Sequence, residues 1–205
     1  MKKINLILIF ALFMSILACK KDQKETTTES ETTSEAPLET AAEDTKEMVE
    51  TVTEEVKKIK ITLNPKSGSN VSGTAVVKET NGTVEFTAIL SGLEPGKHAI
   101  HLHESADCSS DDGTSTGGHW NPTGQPHGKW GDEAGYHKGD IGNFHADEKG
   151  NGTVTFSTDE WCIGCGDPAK DIVGKAIIVH QGVDDFTSQP SGAAGARISC
   201  AGIIE

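Results

Sequence analysis

Residues 60–103 read KITLNPKSGSNVSGTAVVKETNGTVEFTAILSGLEPGKHAIHLH, and this stretch decides the fold class. Apolar and polar residues alternate through 60–64, 74–79, 83–90 and 98–104, the two-residue period of a half-buried strand. Between them stand turn signals, Asn81-Gly82 and Glu94-Pro95-Gly96, of the kind that join antiparallel strands. The same alternation returns at 153–157, 175–180 and 197–203, after the turn Lys149-Gly150-Asn151-Gly152. No stretch carries a long helical period, so the expected class is all-β, an antiparallel sandwich or barrel. Two long segments, 105–138 and 183–196, interrupt the pattern, and structureless segments of that length are usually functional.

Residues 1–58 differ in kind. Lys2 and Lys3, an apolar run over 4–18 and a small residue before Cys19 make a secretory signal peptide over 1–18. Cys19 directly after Ile16-Leu17-Ala18 resembles the lipobox of bacterial lipoproteins, which implies cleavage before Cys19 and a lipid on it, with a plain signal peptide as the alternative. The run is too short and too interrupted to serve comfortably as a membrane span. Residues 19–58 hold no aromatic side chain and are rich in Thr and Glu, which predicts a flexible acidic tether, with a short helix over 41–57 as an alternative for its end. The folded domain is placed at 59–205, long enough for one core. The expected location is the periplasm or cell envelope, anchored to a membrane. The 205 residues carry a formal charge of −13, the wrong sign for gripping nucleic-acid phosphates, so no nucleic-acid partner is expected.

Seven of the eight histidines lie between His98 and His145, and the eighth, His180, ends a strand segment. His101 and His103 are two apart, so strand parity sets both rings on one face while Ile100 and Leu102 face the other. Two imidazoles side by side make half of a metal site. His98 shares parity with Ile100 and reads as a buried, hydrogen-bonded core residue, and His145 as an ordinary one. His119, His127, His137 and Asp140 follow within or just after the long segment, and three imidazoles with a carboxylate suit tetrahedral zinc. Four protein ligands leave no open position, so such a zinc would be structural. His101, His103 and His180 suit a second, copper-type site. Spacing alone does not say whether the two sites touch.

The motifs GKHAIHLHESADC (96–108), GGHWNP (117–122), HGKWGDEAGYHKGDIGN (127–143), IIVHQGVDD (177–185) and GAAGARISC (192–200) resemble, in order and residue type, the copper/zinc superoxide dismutase family. The resemblance implies a Greek-key β-barrel or sandwich of about eight antiparallel strands with two long functional loops. It implies copper on His101, His103, His119 and His180, and zinc on His119, His127, His137 and Asp140, with His119 bridging. It also implies a carboxylate link by Asp184 between His101 and His127, a Cys108–Cys200 disulfide, and an anion-attracting Arg197 beside copper. The implied activity is dismutation of superoxide to dioxygen and hydrogen peroxide, with His119 exchanging a proton. The sequence does not set the oligomeric state, and a homodimer is compatible with it.

Two features depart from the family pattern. The segment between His180 and Arg197 has no lysine, so guidance of an anion falls to Arg197, the metals, or Lys97, Lys129 and Lys138, and weaker steering is expected. Cys162 and Cys165 add a CxxC outside any βαβ context. A local second disulfide is the preferred reading; a metal-capturing dithiol and pairing with Cys108 or Cys200 are the alternatives. The rival functions are a copper-buffering or delivery module of the same fold, a copper-only relative and a purely structural β domain. His119, Arg197 and Asp184 together favour the enzyme, because storage needs neither a bridge nor an anion-guiding arginine, and His127, His137 and Asp140 disfavour the copper-only form.

Overall fold

The computed structural model describes residues 55–205, so the signal peptide, Cys19, the tether as far as residue 54 and all but the end of the alternative helix lie outside the described residues. Eight strands make a closed antiparallel barrel: β1 (Val56–Pro65), β2 (Ser72–Thr80), β3 (Thr83–Ser91), β4 (Gly96–His103), β5 (Gly142–Ala146), β6 (Gly152–Thr158), β7 (Ala176–His180) and β8 (Arg197–Gly202). β1 begins at Val56, inside the stretch expected to be tether or helix, because residues 56–58 extend the ladder to β2. The order around the barrel is β1-β2-β3-β6-β5-β4-β7-β8. The chain therefore crosses from β3 to β4 and from β6 to β7, which gives the barrel its Greek-key character.

Seven strands correspond to alternating segments of the sequence; β5 does not. It is a five-residue strand opened by a glycine, and its Phe144 packs inward while His145 stays exposed. Strict alternation survives where one face meets water, as in β3, where Val84, Phe86, Ala88 and Leu90 point into the core. β4 and β7 lose it, because the long loops cover their outer faces. Ala176 and Ile178 on that outer side pack with Cys200 and Cys108 in a second, smaller apolar cluster.

The covering loop after β4 is held by a short ladder. Trp120 N–H donates to Leu102 (2.8 Å), Leu102 N–H to Gly139 (2.9 Å), and Gly139 N–H to Trp120 (2.9 Å). Gly139 is required there, since a Cβ would stand 2.2 Å from the Leu102 carbonyl oxygen. The Cys108–Cys200 disulfide ties the start of the loop to β8, and Cys162–Cys165 closes a local bridge between β6 and β7.

A cross-link stabilises mainly by restricting the unfolded chain, and more so for a longer loop. Cys108 and Cys200 are 92 residues apart and Cys162 and Cys165 only 3. Chemical denaturation is expected to show a loss of roughly 2–5 kcal/mol for the Cys108→Ser/Cys200→Ser variant and a smaller loss for Cys162→Ser/Cys165→Ser.

Candidate metal centre

Six histidines and one aspartate meet on the outer face of the barrel, between β4, β7 and the two long loops that cover it. Their ligand-capable atoms fall into two sets, His101, His103, His119 and His180, and His119, His127, His137 and Asp140. Within each set these atoms lie within 4.8 Å of one another, and every member is buried. His119 belongs to both. It comes into range because the Leu102–Trp120 hydrogen bond brings residue 119 beside His103 on β4. The rings of His101 and His119 have centroids 4.0 Å apart.

Four of the rings, those of His101, His103, His127 and His180, are oriented by a hydrogen bond from one nitrogen, which leaves the other facing the ligand sets. His101 donates through Nε2 to Asp184 Oδ2 (2.9 Å), His103 through Nδ1 to the Gly117 carbonyl (3.0 Å), and His180 through Nδ1 to the Gly195 carbonyl (3.3 Å). The freed nitrogens of His103 and His180 face each other at 3.4 Å. On the other side His127 donates through Nε2 to Asp184 Oδ1 (2.9 Å), and His119 Nδ1 lies 2.8 Å from Asp140 Oδ1. His127 Nδ1 approaches Asp140 Oδ2 at 3.0 Å without hydrogen-bond geometry.

Four buried ring nitrogens have no hydrogen-bond partner: His101 Nδ1, His119 Nε2, His127 Nδ1 and His137 Nδ1. Leaving so many acceptors or donors unmatched in one place costs about 1–3 kcal/mol for each. A cation in each set satisfies them, and the donors are the imidazoles and carboxylate that copper and zinc favour. The residues therefore fit both ions.

Asp184 is the link between the two sets. Its N–H donates to Asn143 Oδ1 (2.9 Å), its carbonyl accepts from Asn143 Nδ2 (2.8 Å), and its Oδ1 also accepts from Phe186 N–H (2.7 Å). Gly192 passes directly over it, where a Cβ would come 1.8 Å from Asp184 Oδ1 and 2.7 Å from His127 Nε2. Nothing in the composition of the loop marks Gly192 for this part.

Arg197 Nη1 donates to the Gly113 carbonyl (2.8 Å) and to Thr116 Oγ1 (2.9 Å), and the buried Thr116 hydroxyl in turn donates to Gly113 (2.8 Å). Nothing in the sequence around Thr116 marks it for this part. A cavity of about 350 Å³ opens over His103, His119 and His180 and is lined also by Arg197 and Glu104. Lys97, Lys129 and Lys138 do not line it. His98 is buried, with ring nitrogens 2.7 Å from the Glu94 carbonyl oxygen and 3.1 Å from that of His180, and it joins neither set.

The model of the copper/zinc superoxide dismutase family matches residues 71–203. The chain belongs to that family. Among solved structures it is similar to a SOD-like protein from Bacillus subtilis, at 28% identity and a TM-score of 0.63, covering 71% of this chain and 97% of that one. Two variants of that protein, with one proline-to-histidine change and with a second change of tyrosine to histidine, match at 29% and 30% identity with the same TM-score and coverage. Family membership implies copper and zinc, and the two side-chain sets are where this superoxide dismutase family member could hold them.

The electrostatics separate the two sets. Burial, with His101 and His127 adding to it and Asp140 only partly offsetting it, pushes His119 down to about 4. Burial also takes His180 down to about 3 and His103 well below its ordinary value. Burial opposes charge on His127 as well, but Asp140 and Asp184 outweigh it and lift that ring to about 9. Asp140 and Asp184 are held below the usual carboxylate range, because the histidines around them outweigh the penalty of burial.

In metal-stripped protein zinc must therefore displace the His127 proton. Apparent zinc affinity, measured by chelator competition, should rise about tenfold per pH unit from neutrality to about 9 and level off above it. Asp184→Asn should weaken zinc and copper binding by about 10–100-fold, since an amide oxygen can accept from only one of His101 and His127 and its NH2 faces the other. Gly192→Ala should act in the same direction in the same assay.

Proposed function

We propose that this protein is an exported superoxide dismutase, with copper held by His101, His103, His119 and His180 and zinc held by His119, His127, His137 and Asp140. One observation carries the reading: His119 belongs to both sets of ligands, with Nδ1 2.8 Å from Asp140 Oδ1 and a buried Nε2 that has no hydrogen-bond partner and is left for the copper side. A storage site has no use for such a bridge.

Copper bound there supplies one-electron exchange, so that two superoxide anions and two protons give dioxygen and hydrogen peroxide. The chain's own residues do the remainder. Arg197, fixed by Gly113 and Thr116, faces the cavity as a permanent cation and binds the anion beside His119 and His180. His119 would carry a proton at Nε2 only in the half of the cycle in which that nitrogen is not a copper ligand, and would then give it to the reduced product while solvent supplies the second proton. His127, His137 and Asp140 keep the His119 ring in place while Nε2 changes state. Asp184 keeps the rings of His101 and His127 from turning.

Two disulfides in one chain support export to an oxidising compartment. Anchoring through lipidated Cys19 belongs to the same reading. Arg197 is the cationic side chain lining the cavity and Glu104 opposes it, so long-range guidance of superoxide is weak.

The test is reconstitution with copper and zinc followed by a superoxide-removal assay. The wild type should turn over and His180→Ala should lose copper and activity together; metal uptake without turnover would instead identify a copper buffer. The rate should fall only modestly with rising ionic strength, and single neutralisation of Lys97 or Lys129 should leave it within about twofold.

A further inference from the structure

The segment Glu160-Trp161-Cys162-Ile163-Gly164-Cys165 contains no metal ligand, yet it grips the loop that does. Glu160 Oε1 accepts from Tyr136 Oη (2.8 Å), Glu160 Oε2 pairs with Lys138 Nζ, and Trp161 Nε1 donates to the Lys138 carbonyl (2.8 Å). Tyr136 and Lys138 are the residues on either side of His137. The three contacts therefore fix the backbone before and after one ligand.

The grip is itself anchored. Ile163 is buried in the core, its N–H donates to Glu79 Oε2 (2.8 Å), and its carbonyl accepts from Lys57 Nζ (3.0 Å). Cys162 exchanges backbone hydrogen bonds with residues 170 and 172 and is bonded to Cys165. Trp161 is buried against Trp130 and Phe156, and Trp130 packs on Tyr136 with centroids 4.9 Å apart. A jaw on a rigid base thus holds residues 136–138.

Three of the four ligands in the other set need no such aid. His101 and His103 lie on β4 and His180 on β7, where the barrel fixes the backbone. His137 stands in a loop without regular structure, and its Nδ1 is buried and unpartnered.

We propose that Glu160, seconded by Trp161, is a positioning residue for the His119, His127, His137 and Asp140 site, acting through Tyr136 and Lys138 to aim His137 and so to set how long zinc is retained. The inference rests on the reading that zinc occupies that site. It gives the sequence around Cys162 and Cys165 a part that dismutation does not: these residues carry the base of the clamp.

The experiment follows zinc release to excess chromogenic chelator, and copper release in a parallel assay, from metal-loaded wild type, Glu160→Ala and Glu160→Gln. Zinc should leave Glu160→Ala about tenfold faster than wild type, and Glu160→Gln, which keeps an acceptor for Tyr136 but not the charge facing Lys138, should fall between. Copper release should stay within about twofold, and adding Lys138→Met to Glu160→Ala should accelerate zinc loss by less than the two single effects combined. Unchanged zinc release in Glu160→Ala would overturn the inference, as would zinc and copper leaving faster in parallel, which is the mark of general loosening. A wild type that never retains zinc would overturn the reading of the site, and this inference with it.

Discussion

An imidazole ring carries two nitrogens on nearly opposite edges, and burying it requires both to find partners. His119 meets that requirement by facing two ways, and the architecture around it serves this arrangement. One nitrogen must meet residues carried by strands, the other residues carried by a loop. The strand side is fixed by the barrel. The loop side has to be brought to it and kept there, and that demand accounts for the Leu102–Trp120–Gly139 ladder, the glycine at 139 and the cross-link from Cys108 to β8.

The same demand explains why the polar residues of the site form one connected system. Asp184 reaches His101 on one side and His127 on the other, so rotation of either ring is coupled to the other set. Two buried carboxylates among six imidazoles make an environment in which a proton on His127 is favoured and a proton on His119 is not. A bound cation replaces the former. His103 on β4 and His180 on β7, by contrast, are rings whose burial keeps them neutral, ready to donate lone pairs without first losing a proton.

Much of this was legible in the chain. Strand parity placed His101 and His103 together and set His98 apart, and crowding of histidines in one long loop announced a metal site. Seven strands followed from alternation; β5 did not, because five residues starting at Gly142, packed on one side by Phe144, carry too short a pattern. That the two sets share His119 came from family resemblance and not from spacing. The supporting residues were hidden for a different reason. Thr116, Gly192 and Glu160 act through contacts made only after folding, across separations of 81 residues from Thr116 to Arg197 and 22 from Glu160 to Lys138. A glycine needed for clearance over a carboxylate looks, in the sequence, like any loop glycine.

The central claim is that one ring touches two ions. The direct measurement is anomalous diffraction from crystals of the protein loaded with copper and zinc, oxidised, with data collected at each metal's absorption edge. The account predicts a copper peak at Nε2 of His119 and a zinc peak at Nδ1 of the same ring. Copper and zinc peaks with no shared ring between them, or a His119 ring that contacts one ion only, would contradict it.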